Sequence, residues 1–472
     1  MSWSSNIGLP TWLQWPSRST ARHVLIGVLL GFSFSWTSTS FALYYYQRRR
    51  KDRLVPNFTP RPIELRSDEI VKGVTGLIGN TPLVRINSLS DALGIEILGK
   101  AEFLNPGGSV KDRVALQMIN DAERLGYLHP HTGSRIFEGT VGSTGISIAT
   151  IARARGYDTT IIMPDDVAEE KVKALQSLGA DVERVRPASI VDKKQYVNLA
   201  RQRASKFGQP QKNSTDPSSS TNGAHPHIFE SPSSSVLVTT TSSHVEFDTN
   251  EWRKGSKDLL APRGYFADQF ENKSNFDAHY GGTGPEIWRQ TNGRLNAFVS
   301  GAGTGGTVAG VGRYLKSMNE NVIVAISDPD GSGLYNKVKH GVLFDRKESE
   351  GTKRRHQVDT VVEGIGINRL TNNIELALPI LDDAFRVTDA EAVAMSRYLV
   401  KHDGLFLGSS SACNLVACVK LAKQKGWNNG QTMVTILCDS GTRHYSKFWN
   451  DEYLQKANIP VNLQIVEDLL RS

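Results

Sequence analysis

The sequence predicts an α/β protein with parallel-rich sheets flanked by helices, and three observations carry that expectation. Short strand-like runs at 95–102, 134–139, 161–164, 295–299 and 322–326 alternate with stretches of helical apolar period such as 114–125, 146–154 and 172–178. Glycine-rich turns stand between strand and helix, most clearly at 300–310. The length of 472 residues, with 39% hydrophobic and 22% charged residues, is enough for two lobes with their own cores.

Residues 105–113, Asn-Pro-Gly-Gly-Ser-Val-Lys-Asp-Arg, set one lysine, Lys111, after a flexible turn. The run that follows it (Val114, Ala115, Leu116, Met118, Ile119) keeps its apolar residues on one helix face. At a helix start the positive end of the dipole disfavours an ammonium, and burial lowers its pKa further. Lys111 is therefore a candidate neutral, nucleophilic amine. Taken alone, the stretch also reads as a turn and cap before a surface helix, with Lys111 solvated.

A second stretch favours the chemical reading. Ser300-Gly301-Ala302-Gly303-Thr304-Gly305-Gly306-Thr307 follows a strand-like run, and glycines there let the N–H groups from Gly303 to Thr307 converge on a phosphate. No Gly-Lys-Ser/Thr ending makes it a Walker loop, and no acidic ribose ligand supports a dinucleotide. A lysine nucleophile and a phosphate cup in one α/β chain point to pyridoxal 5'-phosphate.

With Ile78-Gly79-Asn80-Thr81-Pro82-Leu83-Val84 upstream, residues 105–113 resemble the cysteine synthase and cystathionine β-synthase family of fold-type II pyridoxal phosphate enzymes. The chain is similar in particular to its fungal, membrane-anchored mitochondrial members. The similarity runs from about 70 to 454, with the motifs in family order. It implies a two-lobed, tryptophan synthase β-like fold and a homodimer. The implied reaction is β-replacement: O-acetyl-L-serine and sulfide give L-cysteine and acetate through an aminoacrylate. Lys111 would be the catalytic residue and hold the cofactor. Gly303, Thr304, Gly305, Gly306 and Thr307 would hold its phosphate, and Ser440, in Cys438-Asp439-Ser440-Gly441, its ring nitrogen.

Thr140-Val141-Gly142-Ser143-Thr144-Gly145 ends the second strand and opens an apolar helix, whose first N–H groups suit the substrate carboxylate. Family members usually carry Thr-Ser-Gly-Asn-Thr-Gly here. Val141 thus replaces a serine, and Ser143 replaces an asparagine that ordinarily meets the cofactor's ring hydroxyl. Glu363-Gly364-Ile365-Gly366 resembles the substrate-facing loop, with Gly364 against the substrate, but Ile367-Asn368-Arg369 departs from its usual ending. Both departures bear on substrate choice. Serine with homocysteine, serine or threonine dehydration, and a non-catalytic, membrane-tethered binding protein of the same fold are the alternatives.

The net charge of +7 is located at the N-terminus, where Arg18, Arg22, Arg48, Arg49, Arg50 and Lys51 precede Asp52, the first acidic residue. The remainder is nearly neutral, which argues against a nucleic-acid partner. Residues 1–22 read as a targeting arm, 23–47 as a transmembrane anchor with Tyr44, Tyr45 and Tyr46 at the interface, and 48–66 as a proline-containing linker. The basic block puts the catalytic part on the cytosolic side, on the resemblance at the mitochondrial outer membrane. The catalytic domain is expected over 67–460, with a low-complexity insertion at 208–249 and a C-terminal tail at 461–472. His225, His227 and His244 in the insertion read as solvated, and no metal site is indicated. Cys413, Cys418 and Cys438 lack zinc or disulfide spacing, read as core thiols and suit a reducing compartment.

Overall fold

The structure is a computed structural model that describes residues 70–188, 190–208, 261–345 and 360–471, with residues 26, 27, 31, 35 and 38–41 as helical positions before them. The chain divides into two units, Met1–Ile70 and Val71–Ser472. In the first, the hydroxyls of Ser38 and Thr39 donate to the Ser35 carbonyl, so helical backbone takes up two of the hydroxyls that dilute this apolar stretch. Most of the expected anchor lies outside the described residues. Among the described residues no helix is long and apolar enough to cross a membrane. The linker at 48–66 and nearly all of the 208–249 insertion also lie outside them.

The second unit is built of ten strands and fourteen α-helices among the described residues. The strands are β1 (Leu83–Arg85), β2 (Glu96–Ala101), β3 (Arg135–Gly139), β4 (Asp158–Pro164), β5 (Asp181–Val185), β6 (Gly264–Phe266), β7 (Ala297–Gly301), β8 (Ile323–Pro329), β9 (Asp383–Val387) and β10 (Thr432–Leu437). The helices are α1 (Asn87–Leu93), α2 (Lys111–Arg124), α3 (Ser143–Arg155), α4 (Glu169–Ser177), α5 (Tyr196–Lys206), α6 (Ser274–Ala278) and α7 (Gly284–Gln290). They continue as α8 (Gly306–Met318), α9 (Leu334–His340), α10 (Asn372–Ala377), α11 (Asp389–Asp403), α12 (Ser409–Lys425), α13 (Asp451–Lys456) and α14 (Gln464–Arg471).

Two sheets make the two lobes. The larger has the order β1-β2-β10-β7-β8-β9 and is parallel except for the antiparallel β1–β2 pair; the smaller, β5-β4-β3-β6, is parallel throughout. Side chains on the large sheet alternate faces with the period of two that strands impose. Ala297, Val299, Met433 and Leu437 pack with α11 and α12 in one core, while Phe298, Val434 and Ile436 pack with α8 in another. Buried on both faces, these strands read as continuous apolar runs. The small lobe packs Ile136 against α2 and α3, and Ile161 and Met163 against α4.

Two expectations meet different structure. Residues 404–412, whose sequence matches a strand-loop-helix return to the active face, form in place of a strand only a single antiparallel bridge, Leu407 to Ser440, because Gly408 already leads into α12. Residues 461–472 contain α14, whose Val466 is 1% exposed and packs into the large-lobe core with Leu469 and Leu470.

A buried ion network ties these elements together. Arg113, in the first turn of α2, pairs with Glu102 at 2.7 Å and Glu286 of α7 at 2.7 Å, and Lys100 of β2 pairs with Glu286 at 2.6 Å. Lys100 and Glu102 are fully buried. Replacing Arg113 with methionine leaves Glu102 inside without its cation. Equilibrium denaturation should show a loss of about 3–5 kcal/mol, as expected when one partner of a buried pair is removed; a loss below about 1 kcal/mol, the size of an exposed pair, would refute the network's structural weight.

Candidate active site

A cavity of about 570 Å³ opens at the C-terminal ends of the parallel strands, the usual ligand position in open α/β sheets. Its wall brings together Lys111, Thr140, Val141, Ser143, Thr144, Gly303, Thr304, Gly305, Thr307 and Gly364. Gly142, Gly306 and Ser440 are not on that wall. The first two are the neighbours that shape the loops. The Ser440 hydroxyl accepts from Thr442 N at 3.3 Å and from Thr442 Oγ1 at 3.2 Å, capping a 3-10 turn.

Lys111 is the first residue of α2, and the turn before it is fixed by its own side chains. Asn105 Oδ1 accepts from Gly79 N at 2.8 Å while Nδ2 donates to Glu102 Oε2 at 2.8 Å and Ser109 O at 3.2 Å. Asp112 accepts from Gly107 N and from Ser147 of α3, each at 2.5 Å, and burial pushes its carboxyl up to about 6. Val110 N donates to Cys438 O at 3.0 Å, joining the turn to the end of β10. With its neighbours held, Lys111 projects into the cavity, and among the described residues its Nζ makes no hydrogen bond or ion pair. Burial lowers its pKa below the ordinary lysine value, opposed by Cys438.

The loop after β7 fits an anion. Gly305 has φ +91°, and a Cβ on Gly303 would overlap the carbonyl of Gly364, so only glycine permits this path. The loop opens α8, a thirteen-residue helix whose first N–H groups lack intrahelical partners. Thr304 Oγ1 accepts from Asn275 Nδ2 at 2.8 Å, and Thr307 Oγ1 lies 3.1 Å from His279 Nε2. Burial, then the charges of Lys111 and Arg113, drive the pKa of His279 well down, so a neutral imidazole bridges Thr307 and Thr283. Glycine cradle, helix start, two oriented hydroxyls and a deprotonatable lysine are the donor set that pyridoxal phosphate requires.

In the loop after β3, Gly142 has φ +136°, and Thr144 Oγ1 donates to Gln269 Oε1 at 2.6 Å. Val141 lines the cavity and also packs against the small-lobe core of Ile146, Met163 and Val167.

The structure adds residues that the sequence reading passed over. Cys438, read as a core thiol, is half-buried on the cavity wall beside Lys111, and burial pushes its thiol up to about 11. Cys413 and Cys418 are core thiols, pushed up by burial. Lys171 of α4 pairs with Glu363, which lies 4.0 Å from His444 Nδ1 and 3.4 Å from Lys447 Nζ; His444 Nε2 lies 3.0 Å from Asp439 Oδ2. Only the Lys-Asp-Arg and glycine motifs had a local signal; this cluster joins segments up to 276 residues apart (Lys171 to Lys447), which no local pattern reveals.

Although burial opposes it, Lys171 and His444 hold the Glu363 carboxyl down to about 2, against an ordinary 4.5. A depressed acid adds stability above its unfolded pKa and loses it as pH falls through the folded one. The free-energy gap between parent and Glu363→Gln in denaturant titrations should therefore be full above pH about 4.5 and close as pH falls toward about 2. Parallel curves would show that the pairing contributes nothing.

The chain matches the family described as "Pyridoxal-phosphate dependent enzyme" over residues 74–231 and 234–439. It is 52% identical over 404 residues to "Cysteine synthase 2" of Schizosaccharomyces pombe, covering 85% of this chain and 90% of that protein. It is 44% identical over 413 residues to "Putative mitochondrial cysteine synthase" of Saccharomyces cerevisiae, covering 87% and 89%. The solved structure of O-ureido-L-serine synthase superposes with a TM-score of 0.60 at 26% identity, covering 81% of this chain and 96% of that one. A family match over most of the chain agrees with the cradle and the lysine that the cavity presents, and the chain belongs to the pyridoxal-phosphate-dependent enzymes.

Proposed function

We propose that the chain is a cysteine synthase, which replaces the acetate of O-acetyl-L-serine with sulfide to release L-cysteine. The observation that carries this is Lys111, an unpaired amine with a lowered pKa on the wall of a cavity that also holds the glycine cup. Relatives named cysteine synthase 2, about half identical over most of the chain, support the reaction. Its reactants are small molecules, and by family resemblance it works as a homodimer.

Pyridoxal phosphate, when bound, supplies the carbonyl carbon that joins an amine and the conjugated ring that takes the electrons of the broken Cα–H bond. Lys111 Nζ holds the cofactor between turnovers and removes the α-proton as general base. The same nitrogen returns that proton once sulfide has taken the place of acetate. The backbone N–H groups of Thr140, Ser143 and Thr144 and the hydroxyls of Thr140 and Ser143 orient the α-carboxylate, with Val141, Gly142 and Gly364 shaping the space around it. Gly303, Thr304, Gly305, Gly306 and Thr307 hold the phosphate. Ser440, the family position, would offer the ring nitrogen a neutral hydroxyl, and Ser410 is a hydroxyl on the cavity wall.

Lys111→Ala should keep its fold by circular dichroism yet lose the covalent chromophore and at least about 10²–10⁴-fold in cysteine formation, the usual weight of a general acid or base. Unchanged turnover by that variant would end this mechanism.

We place the enzyme on a mitochondrial membrane, the outer one with the catalytic part toward the cytosol, through residues 24–46. The apolar run and the basic block after it support an anchor. Full-length protein should stay in the pellet after alkaline carbonate extraction, while a chain starting at Leu54 should be extracted; an extracted, uncleaved full-length chain would refute the anchor.

A further inference from the structure

The reaction proposed above uses neither Asn368 nor Arg369, the departure at the end of the substrate-facing loop, yet both line the cavity. The fold accounts for Asn368. Its Oδ1 accepts from Gly333 N at 2.6 Å and its Nδ2 donates to Gly331 O at 3.0 Å, lashing the loop to the turn after β8. Its amide is spent on the scaffold.

Arg369 is placed differently. Its guanidinium is 4.6 Å from the Phe270 ring centroid, and its Nη1 donates to Glu271 Oε1 at 3.2 Å. The other Glu271 oxygen accepts from Asn372 N at 2.9 Å, so that carboxylate is itself fixed at the start of α10. Ring and carboxylate therefore set the plane of the guanidinium. Among the described residues they engage one of its five N–H donors. The side chain is 26% exposed and belongs to a residue of the cavity wall.

Lys171, Glu363, Asp439, His444 and Lys447, also on the wall, are directed at one another. Lys171 and Lys447 face Glu363, Lys447 also donates to Asp166 O at 2.8 Å, and His444 faces Asp439. Lys171 and Lys447 are committed to the Glu363 carboxylate that faces them, and Lys111 is taken up by its amine chemistry, whereas Arg369 spends one of its five N–H donors on Glu271. A planar fork with parallel N–H groups fits a carboxylate or phosphate in two-point contact, and sulfide cannot use it.

We propose that Arg369 is a specificity-determining residue that binds an anionic oxygen group, carboxylate or phosphate, carried by a reactant in addition to the α-carboxylate. The inference rests on the amino-acid reading of the cavity. The group sits either on the departing β-substituent or on the incoming thiol.

Steady-state kinetics of the full-length holoenzyme separate the two sources. One arm compares O-phospho-L-serine and O-succinyl-L-serine with O-acetyl-L-serine, using sulfide. The other compares mercaptoacetate with 2-mercaptoethanol, using O-acetyl-L-serine. In one arm the anionic reactant should be preferred at least about tenfold in kcat/KM, a fair return for charge-assisted two-point contact. Arg369→Gln should bring that ratio close to one, and Arg369→Lys should retain part of it. Ratios near one in both arms for the parent, or a preference that survives Arg369→Gln, would overturn the proposal. So would weaker retention of pyridoxal phosphate in Arg369→Gln with all substrates slowed alike, which would assign Arg369 to the cofactor's phosphate. If the parent turns over no reactant pair, the cysteine synthase reading fails on its own. Calorimetric binding of O-phospho-L-serine against O-acetyl-L-serine then tests Arg369 separately, with the same dependence on the guanidinium expected and its absence decisive against it.

Discussion

Arg113 lies two residues after Lys111 and is gripped by Glu102 on one side and Glu286 on the other, while Glu286 also holds Lys100. None of these charges tolerates burial alone, since the desolvation of each is repaid only by partners at hydrogen-bond distance. The network therefore closes only when the end of β2, the start of α2 and α7 stand in one arrangement. Although burial opposes it, Arg113 and Lys100 hold the Glu286 carboxyl down to about 2, so Glu286 stays ionised across the physiological range. The first turn of α2 is pinned in this way, and Asn105 and Asp112 pin the turn before it. Among the described residues Lys111 makes no ion pair, and the rigidity of its neighbours is what keeps it so.

What the sequence disclosed, and what it withheld, follows from distance along the chain. Asn105 to Arg113 was legible because its contacts are largely local: Asn105 to Ser109, Gly107 to Asp112, Lys111 N to Ser109 Oγ. The loop from Gly303 to Thr307 was legible because glycine at φ +91° leaves few other readings between a strand and a helix. Strand order was implied only as a class. The pairing of β10 between β2 and β7 joins residues more than 130 apart. The Glu363 cluster and the nearness of Cys438 to Lys111 are products of that pairing, so no single window of residues contained them. Ser440 shows the opposite case: the motif placed it by family position, and only the structure shows that its hydroxyl also accepts from Thr442 in the 3-10 turn that follows.

Val141 shows how one substitution serves two lobes of an argument. As a change from serine it removes a polar contact from the carboxylate loop, which reads as a loss of substrate binding. In the fold its side chain packs on Ile146, Met163 and Val167, adding apolar contact between the loop and the small-lobe core. The loop is thus held more by packing and less by side-chain hydrogen bonding. The direction of its backbone N–H groups is fixed by the start of α3 regardless of side chain.

The charges in the cavity are sorted by depth of function. Around Lys111 the groups are polar but neutral: the Cys438 thiol, whose pKa is pushed up to about 11, and His279, whose pKa is driven down by burial and by Lys111 itself. A thiolate at Cys438 would favour the ammonium form of Lys111, and a cationic His279 would oppose it; burial suppresses both ionisations together. The charged groups, Lys171, Glu363, Asp439 and Lys447, compensate one another within their own cluster, with His444 between the two carboxylates. An amine that must be a free base between proton transfers needs such surroundings, since a fixed carboxylate beside it would hold it protonated and a fixed cation would weaken its basicity. Separating a neutral floor from a self-compensated charged cluster meets both conditions, and it leaves Arg369, which spends one N–H on Glu271, with further donors on the wall to select among reactants.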